Sequence, residues 1–335
     1  MKRRLKHIVF FIVIVLHPAL ASVAGEPDGY LIADGNTAGT MQLIANRGYA
    51  LDSPDQSIRH ANKPFQHVQQ IWDADLKKYV FQFFIHAKLD DDRGLVNITD
   101  RQRNELKTWA KSPAFMVGQE GDIMVIKWKF KLPEGMLTTK KFCHVHQLKA
   151  LDNKESTADV GMPIITFTCC TVGSGNKQEF QVRWQDRNNN YKTFYLARLD
   201  LSQFLGVWVE AEERIKCGAN GSYSLALRNL KTGNVMLDMP EQNLDMWRTD
   251  CAGVRPKWGI YRNIGENRSM ENSLRDEELR FADFYVGKTV STKVNTLESV
   301  RNDSDAIYTV SGESVLKQQE GQVYISQGQK KLSLK

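Results

Sequence analysis

Apolar and polar residues alternate with a period of two along much of this chain. In "VWVEAEERIK", Val207, Val209, Ala211, Glu213 and Ile215 fall on one side of an extended backbone, and Glu210, Glu212 and Arg214 fall on the other. The runs "KYVFQFFIHA", "DIMVIKWKFKL", "KFCHVHQLKA", "MPIITFTCC", "EFQVRW", "YSLALRNL", "NVMLDM" and "LRFADFYVG" are likewise rich in β-branched and aromatic residues, and Gly, Asn, Asp and Pro separate them. Helical periodicity is scarce. Consecutive strands without intervening helices predict an all-β fold, a β-sandwich or jelly roll of the concanavalin-like kind in which one sheet curves into a groove. The segment "RPKWGIYRN" (255–263) divides in the same way. Trp258 and Ile260 are expected in the core, with Lys257, Gly259, Tyr261 and Asn263 on the opposite face.

The two ends of the chain break this pattern. Residues 1–24 have a cationic start, an apolar run from Ile8 to Leu16, and small residues at Ala21 and Ala24, the layout of a secretory signal peptide. The remainder is expected to be exported, to the periplasm, the cell surface or the medium, with no membrane span. Its domain runs over 25–289, followed by a polar linker at 290–304 and a small β segment at 305–335. The formal charge of the whole chain is +6, and loss of Lys2, Arg3, Arg4 and Lys6 with the leader lowers it to +2. No concentrated basic stripe points to nucleic acid, and a monomer is expected. Five cysteines leave at least one unpaired, and Cys217 with Cys251, both in loop-like stretches, form the best candidate disulfide.

Three segments place polar groups at two-residue spacing: Arg101, Arg103, Glu105 and Lys107 in "DRQRNELKTW", His144 and His146 in "CHVHQL", and the row in "RPKWGIYRN". Each alone fits the solvated face of an antiparallel sheet. Two histidines at i, i+2 could bind zinc, but a third ligand would have to come from distant His60, His67 or His86, so neither metal nor cofactor is expected. "DDDR" (90–93) lacks the spaced ligands of a calcium loop and reads as a solvated turn. His86 reads as a satisfied core or edge histidine. Trp247 and Arg248 could stack on a sugar or pack in the core, and Glu210, Glu212 and Arg214 read as a solvated face.

Together and in this order, "RNEL", "HVH" and "KWGIY" resemble the jelly-roll polysaccharide lyases. The pattern is similar to R-x-E-L-R, Q-x-H and K-x-G-x-Y of the alginate-lyase-type family, and the longer runs resemble the heparin-lyase-I-like lyases over about residues 30–288. The resemblance puts Arg103, Glu105 and Lys107 on the first motif, His146 on the histidine of the second, and Lys257, Gly259 and Tyr261 on the third. His144 stands where that family has Gln, and Lys107 where it has the second Arg. Gln147 is expected to face away from His146. The last thirty residues, with Ile307, Tyr308, Gly312, Val315, Gly321, Tyr324, Ile325, Gly328 and Lys335, resemble the sorting domains of the type IX export route and imply that machinery as a partner.

What the resemblance implies is β-elimination on an acidic polysaccharide. Such a reaction needs the uronate carboxylate neutralised, a base for the neighbouring C–H, and an acid for the departing oxygen. Arg103 is the expected neutraliser, with His144 as a further donor. His146 is the expected base and Tyr261 the acid, or Tyr261 serves as both. Glu105, Lys107, Lys257, Asn263 and Arg101 are expected to contact substrate. A non-catalytic carbohydrate-binding module and a glycoside hydrolase of the same sandwich class are the alternatives, the latter requiring two carboxylates across a groove.

Overall fold

A computed structural model describes residues 28–56, 65–154, 160–175 and 177–289, and the backbone of four short strands between 307 and 332. The expected leader and linker lie outside the described residues. In chain order the strands are β1 (Tyr30–Leu31), β2 (Ala50–Asp52), β3 (Val68–Asp73), β4 (Lys78–Ile85) and β5 (Arg101–Lys107). They continue with β6 (Ile123–Lys131), β7 (Cys143–Leu151), β8 (Ile165–Val172), β9 (Lys177–Asp186) and β10 (Lys192–Asp200). Then come β11 (Trp208–Lys216), β12 (Gly221–Asn229), β13 (Val235–Leu244), β14 (Gly253–Asn263) and β15 (Glu277–Thr289).

These strands pair antiparallel into two sheets, which makes the fold an all-β sandwich of the jelly-roll kind. One sheet runs β13-β12-β11-β6-β15-β4-β3, with β1 added beside β15. The other runs β10-β9-β8-β7-β14-β5-β2. Hairpins of consecutive strands make up most of the outer parts of each sheet, and the central pairs, such as β6 with β15 and β7 with β14, join strands distant in sequence, as jelly-roll crossovers require. A short helix, α1 (Thr40–Asn46), is the one α-helix among the described residues, and no described helix is long and apolar enough to cross a membrane. Residues 290–335 form a separate compact unit, in which Ile307–Thr309, Ser314–Val315, Val323–Ser326 and Gln329–Leu332 make a four-stranded sheet.

The inward rows of the two sheets bury one continuous core. Trp128, Phe130, Phe167, Phe180, Trp258, Phe281 and Phe284 are each at most 1 % exposed and pack ring against ring, as between Phe130 and Phe180 at 6.0 Å or Trp258 and Phe284 at 5.0 Å. Each such side chain contributes roughly 2–3 kcal/mol through burial. Trp258 and Ile260 lie in this core as the alternation predicts. Glu210 and Glu212, on the outer face of β11, pair with Lys129 and Lys127.

Several expectations are corrected. All five cysteines are free thiols, and the Cys217 side chain is buried against Gly118 and Met124 rather than bonded to Cys251. Asp90, Asp91 and Asp92 are not a solvated turn; all three are at most 1 % exposed, because their carboxylates accept hydrogen bonds from His67, from the Gly94 amide and from Arg93. Of the two readings open for Arg248, the packed one holds: it is buried, donating to the carbonyls of Trp247, Pro163 and Gln185.

Candidate active site

The outward face of the seven-stranded sheet is polar, and strand register arranges it in two rows across the strands. One row reads Arg103, Tyr261, His144, Thr168, Gln181 and Arg198 from β5 to β10. The other reads Lys107, Lys257, Gln147, Thr166, Arg183 and Tyr195. At about 4.8 Å between strands, six strands give a polar track on the order of 24 Å long.

The rows do not follow simple alternation on β7. Strand β14 keeps unbroken register with β5 from Lys257 opposite Lys107 to Asn263 opposite Arg101. Against β7 it slips by one residue: Trp258 stands opposite His146, but Tyr261 stands opposite His144. Strand β7 slips likewise against β8, with His144 opposite Thr168 and His146 opposite Phe167. This bulge gives β7 an odd step between its two outward residues, His144 and Gln147, and turns both Val145 and His146 inward.

His146 is therefore corrected as a groove residue. Its ring is fully buried between the sheets beside Trp128, Phe167 and Trp258, with Nε2 3.1 Å from Glu213 Oε1 on the opposite sheet. Glu213 itself accepts from Trp128 Nε1 at 3.2 Å and from the Tyr223 hydroxyl at 2.8 Å. A buried carboxylate is tolerable only with such partners, which explains why the apolar row of β11 carries Glu213. Nor do His67 and His86 join His144 or His146; they meet each other and Asp90.

Gly259 lies at the bulge with φ 143°. A Cβ there would overlap the Asn104 carbonyl oxygen and lie 2.8 Å from Glu105 Cα. The glycine thus lets β14 press against β5 while its other edge slips past β7. Close approach of backbone, rather than of a sugar, is what the missing side chain permits.

Glu105 is the electrostatic centre of the face. Its Oε2 is 2.5 Å from Lys257 Nζ and 3.2 Å from Arg103 Nη1, and its Oε1 accepts from the Gln147 amide. Lys257 lies between Glu105 and Asp52, 2.8 Å from the latter, and Lys107 pairs with Asp52 at 2.5 Å. Burial raises the Glu105 carboxyl, but Lys257 and then Arg103 more than offset this and hold it at about 2. Asp52 is likewise held well below the usual range: burial raises it, and Lys257 and Lys107 pull it down further. Both carboxylates are therefore fixed anions.

Arg103 is bracketed by Asp92, 2.8 Å from its Nε, and Glu105, and its guanidinium lies 3.8 Å over the Tyr261 ring. Arg101 Nη1 donates to the Tyr261 hydroxyl at 2.8 Å while its other nitrogens grip Asp100. Two guanidiniums thus flank one phenol. Burial raises the Tyr261 hydroxyl above its usual value, against the pull of Arg103 and Arg101, so it is protonated at neutral pH.

The ring of His144 is 5.8 Å from that of Tyr261 and stacks on Phe142, and its Nδ1 is 2.8 Å from Thr168 Oγ1. Burial, followed by the charges of Arg183, lowers its pKa to about 3, so the imidazole is neutral. Lys149, next on this face, is lowered to about 7 by burial and then by Lys257, and its Nζ donates to the Gly161 carbonyl. Asn263 accepts from the Gly265 amide and closes a turn. A cleft of about 380 Å³ adjoins this cluster, and Asp52, Asp55, Arg93 and Trp109 are among its lining residues.

The structure thus brings together Arg101, Arg103, Glu105, Lys107, His144, Lys257 and Tyr261, and leaves out His146. Asp52, Lys149, Thr168 and Arg183 belong to the same face without having been singled out from the sequence, and so do Gln147, which was set aside there, and Asp92, which was read as part of a solvated turn. Gln147 was hidden by the bulge, although an isolated glycine inside a strand is a signal for one.

No family model and no curated protein matches the chain. Among solved structures it is similar to an endo-β-1,4-glucuronan lyase from the fungus Trichoderma reesei, at 14% identity and TM-score 0.44 over 66% of this chain and 87% of that one. An alginate lyase from Pseudomonas aeruginosa matches at 14% identity and TM-score 0.45 over 72% and 98%. One from Zobellia galactanivorans matches at 12% and 0.45 over 76% and 100%. Likenesses this distant assign no activity to the chain.

Proposed function

We propose that this polar face is the active site of an exported polysaccharide lyase that cleaves a uronic-acid-containing polymer by β-elimination. The observation that carries the reading is the placement of Tyr261 beside neutral His144 and under Arg101 and Arg103, on a face rich in cations. In this scheme His144 takes the part first expected of His146. With Nδ1–H donating to Thr168, Nε2 is the free base that takes the proton next to the uronate carboxylate, and the Tyr261 hydroxyl gives its proton to the departing glycosidic oxygen. The C–H electrons become the new double bond as the C–O bond breaks.

Arg103 is already committed to Asp92 and Glu105, so Arg183 and Lys149 are the better candidates to neutralise the substrate carboxylate, with Arg103 and Arg101 steadying the phenol as it loses its proton. Burial lowers His144 most and the charge of Arg183 next, and an incoming carboxylate would offset the second of these.

Glycoside hydrolysis is disfavoured. It needs one carboxyl group that stays protonated, whereas Glu105 and Asp52 are both held as anions by buried ammonium groups. The test is a panel of uronic-acid polymers read by ultraviolet absorbance of the unsaturated uronate. At least one should give signal, and His144→Ala and Tyr261→Phe should each lower the rate roughly 100-fold or more. Glycan binding without absorbance would select the carbohydrate-binding reading, and full activity in both variants would remove the site.

A further inference from the structure

Behind β5, away from the polar rows, two histidines and an aspartate meet. His67 immediately precedes β3 and His86 immediately follows β4, so the β3–β4 hairpin, closed by the Phe84 amide on the His67 carbonyl at 2.9 Å, sets them side by side. Asp90 comes from the next loop. His67 Nε2 is 3.2 Å from His86 Nδ1 and 2.9 Å from Asp90 Oδ1, and His86 Nδ1 is 3.4 Å from the same oxygen.

We propose that His67 Nε2, His86 Nδ1 and Asp90 Oδ1 are the protein ligands of a zinc-type divalent transition-metal ion. Ligand bonds of about 2.0–2.1 Å place the corners of a tetrahedron about 3.3 Å apart. The three donor atoms already form a triangle of that size, with the fourth corner left for water. Two imidazoles and one carboxylate suit zinc rather than calcium, which prefers six or more oxygens.

The surroundings are those of a metal site as well. His67 Nδ1 lies 2.5 Å from Asp55 Oδ1, which would fix the tautomer that presents Nε2 to the ion. The second oxygen of Asp90 accepts the His86 backbone N–H at 2.5 Å, which orients the carboxylate. Phe65 packs edge-on against both imidazoles, at 5.0 and 4.8 Å, and supplies an apolar wall. The His86 side chain is 21% exposed while His67 and Asp90 are sealed, so an ion has a route in past His86.

An ion here would brace the fold locally. It ties the hairpin to the segment that delivers Asp92 to Arg103 and the Asp91 carbonyl to the Arg103 amide at 3.0 Å. It does not depend on the activity proposed above. The test uses the full untagged chain, stripped with a chelator and titrated with Co²⁺ as the coloured probe, then with Zn²⁺ in competition and as a ligand in thermal melts. One equivalent should bind with the intense visible absorption of tetrahedral Co²⁺, and Zn²⁺ but not Mg²⁺ should raise Tm. His86→Ala and Asp90→Asn should each abolish the colour, and Asp55→Asn should weaken binding roughly 10- to 100-fold. Wild-type chain that is folded by circular dichroism yet binds no equivalent of either ion overturns the proposal. So does binding undiminished in folded His86→Ala and Asp55→Asn.

Discussion

Replacing Glu105 with Gln tests whether this carboxylate organises the polar face. The side chain is 1% exposed, and glutamine keeps its size and an acceptor oxygen while deleting the charge that faces Lys257 and Arg103. In the folded chain the carboxyl is held at about 2 against an ordinary 4.5: burial opposes this, and Lys257 with Arg103 overcomes it. At about 1.4 kcal/mol per pH unit, that displacement is worth about 3 kcal/mol of stability at neutral pH. Removing one member of a buried ion pair gives a similar figure, about 3–5 kcal/mol, softened here because Lys257 retains Asp52.

The sign follows from linkage. The folded value is depressed, so the contribution is fully present above pH 4.5 and is lost as pH falls towards 2. Urea unfolding of wild type and Glu105→Gln, followed by fluorescence from pH 7 to pH 2.5, should show a gap of about 3 kcal/mol at pH 7 that narrows steadily below pH 4.5. A gap under about 0.5 kcal/mol at pH 7, or one that stays constant down to pH 2.5, would refute the electrostatic account of this face.

Other outcomes follow from the same geometry. His146→Ala should lose about 3 kcal/mol of stability from the cavity and the weakened Glu213 cluster, while its folded fraction keeps near wild-type activity; a folded, stable and inactive His146→Ala would return the histidine to the chemistry. Gly259→Ala should cost about 2–4 kcal/mol, because its Cβ would collide with the backbone of β5, and a melt unchanged within 1 °C would contradict the bulge described here. Because His144 is held at about 3 by burial and by Arg183, kcat/KM of the free enzyme should show no acid limb between pH 5 and 8 that His144→Gln removes; a limb near 6.5 that this variant abolishes would contradict it.

How legible the molecule was in its sequence differs by level. Alternation over nine or ten residues marks strands reliably where burial of one face imposes it, whereas the row Arg101, Arg103, Glu105 and Lys107 was readable from its two-residue spacing alone, because β5 has no bulge on either edge. Partners such as Asp52 and Asp92 were not readable. They arrive from loops whose position is a consequence of sheet order, which local patterning does not encode.

The reversal of His144 and His146 is a different kind of failure, and a physical rule bears on it. Strict alternation put both histidines on one face, but the same reading put Glu213 on the apolar row of β11, where an unpartnered carboxylate would cost several kcal/mol. A charge in that row demands polar partners inside the sandwich. Trp128 and Tyr223, on the two strands that flank β11 in its own sheet, donate to Glu213, and His146 comes within 3.1 Å of it from the facing sheet. For one of two histidines at i, i+2 to reach inward while the other stays outward, the strand must take an odd step, and a neighbouring strand with a lone Gly259 can accommodate it. An inward acid, a histidine pair and a strand glycine are each ambiguous alone. Taken jointly, they favour a bulged β7 over a regular one.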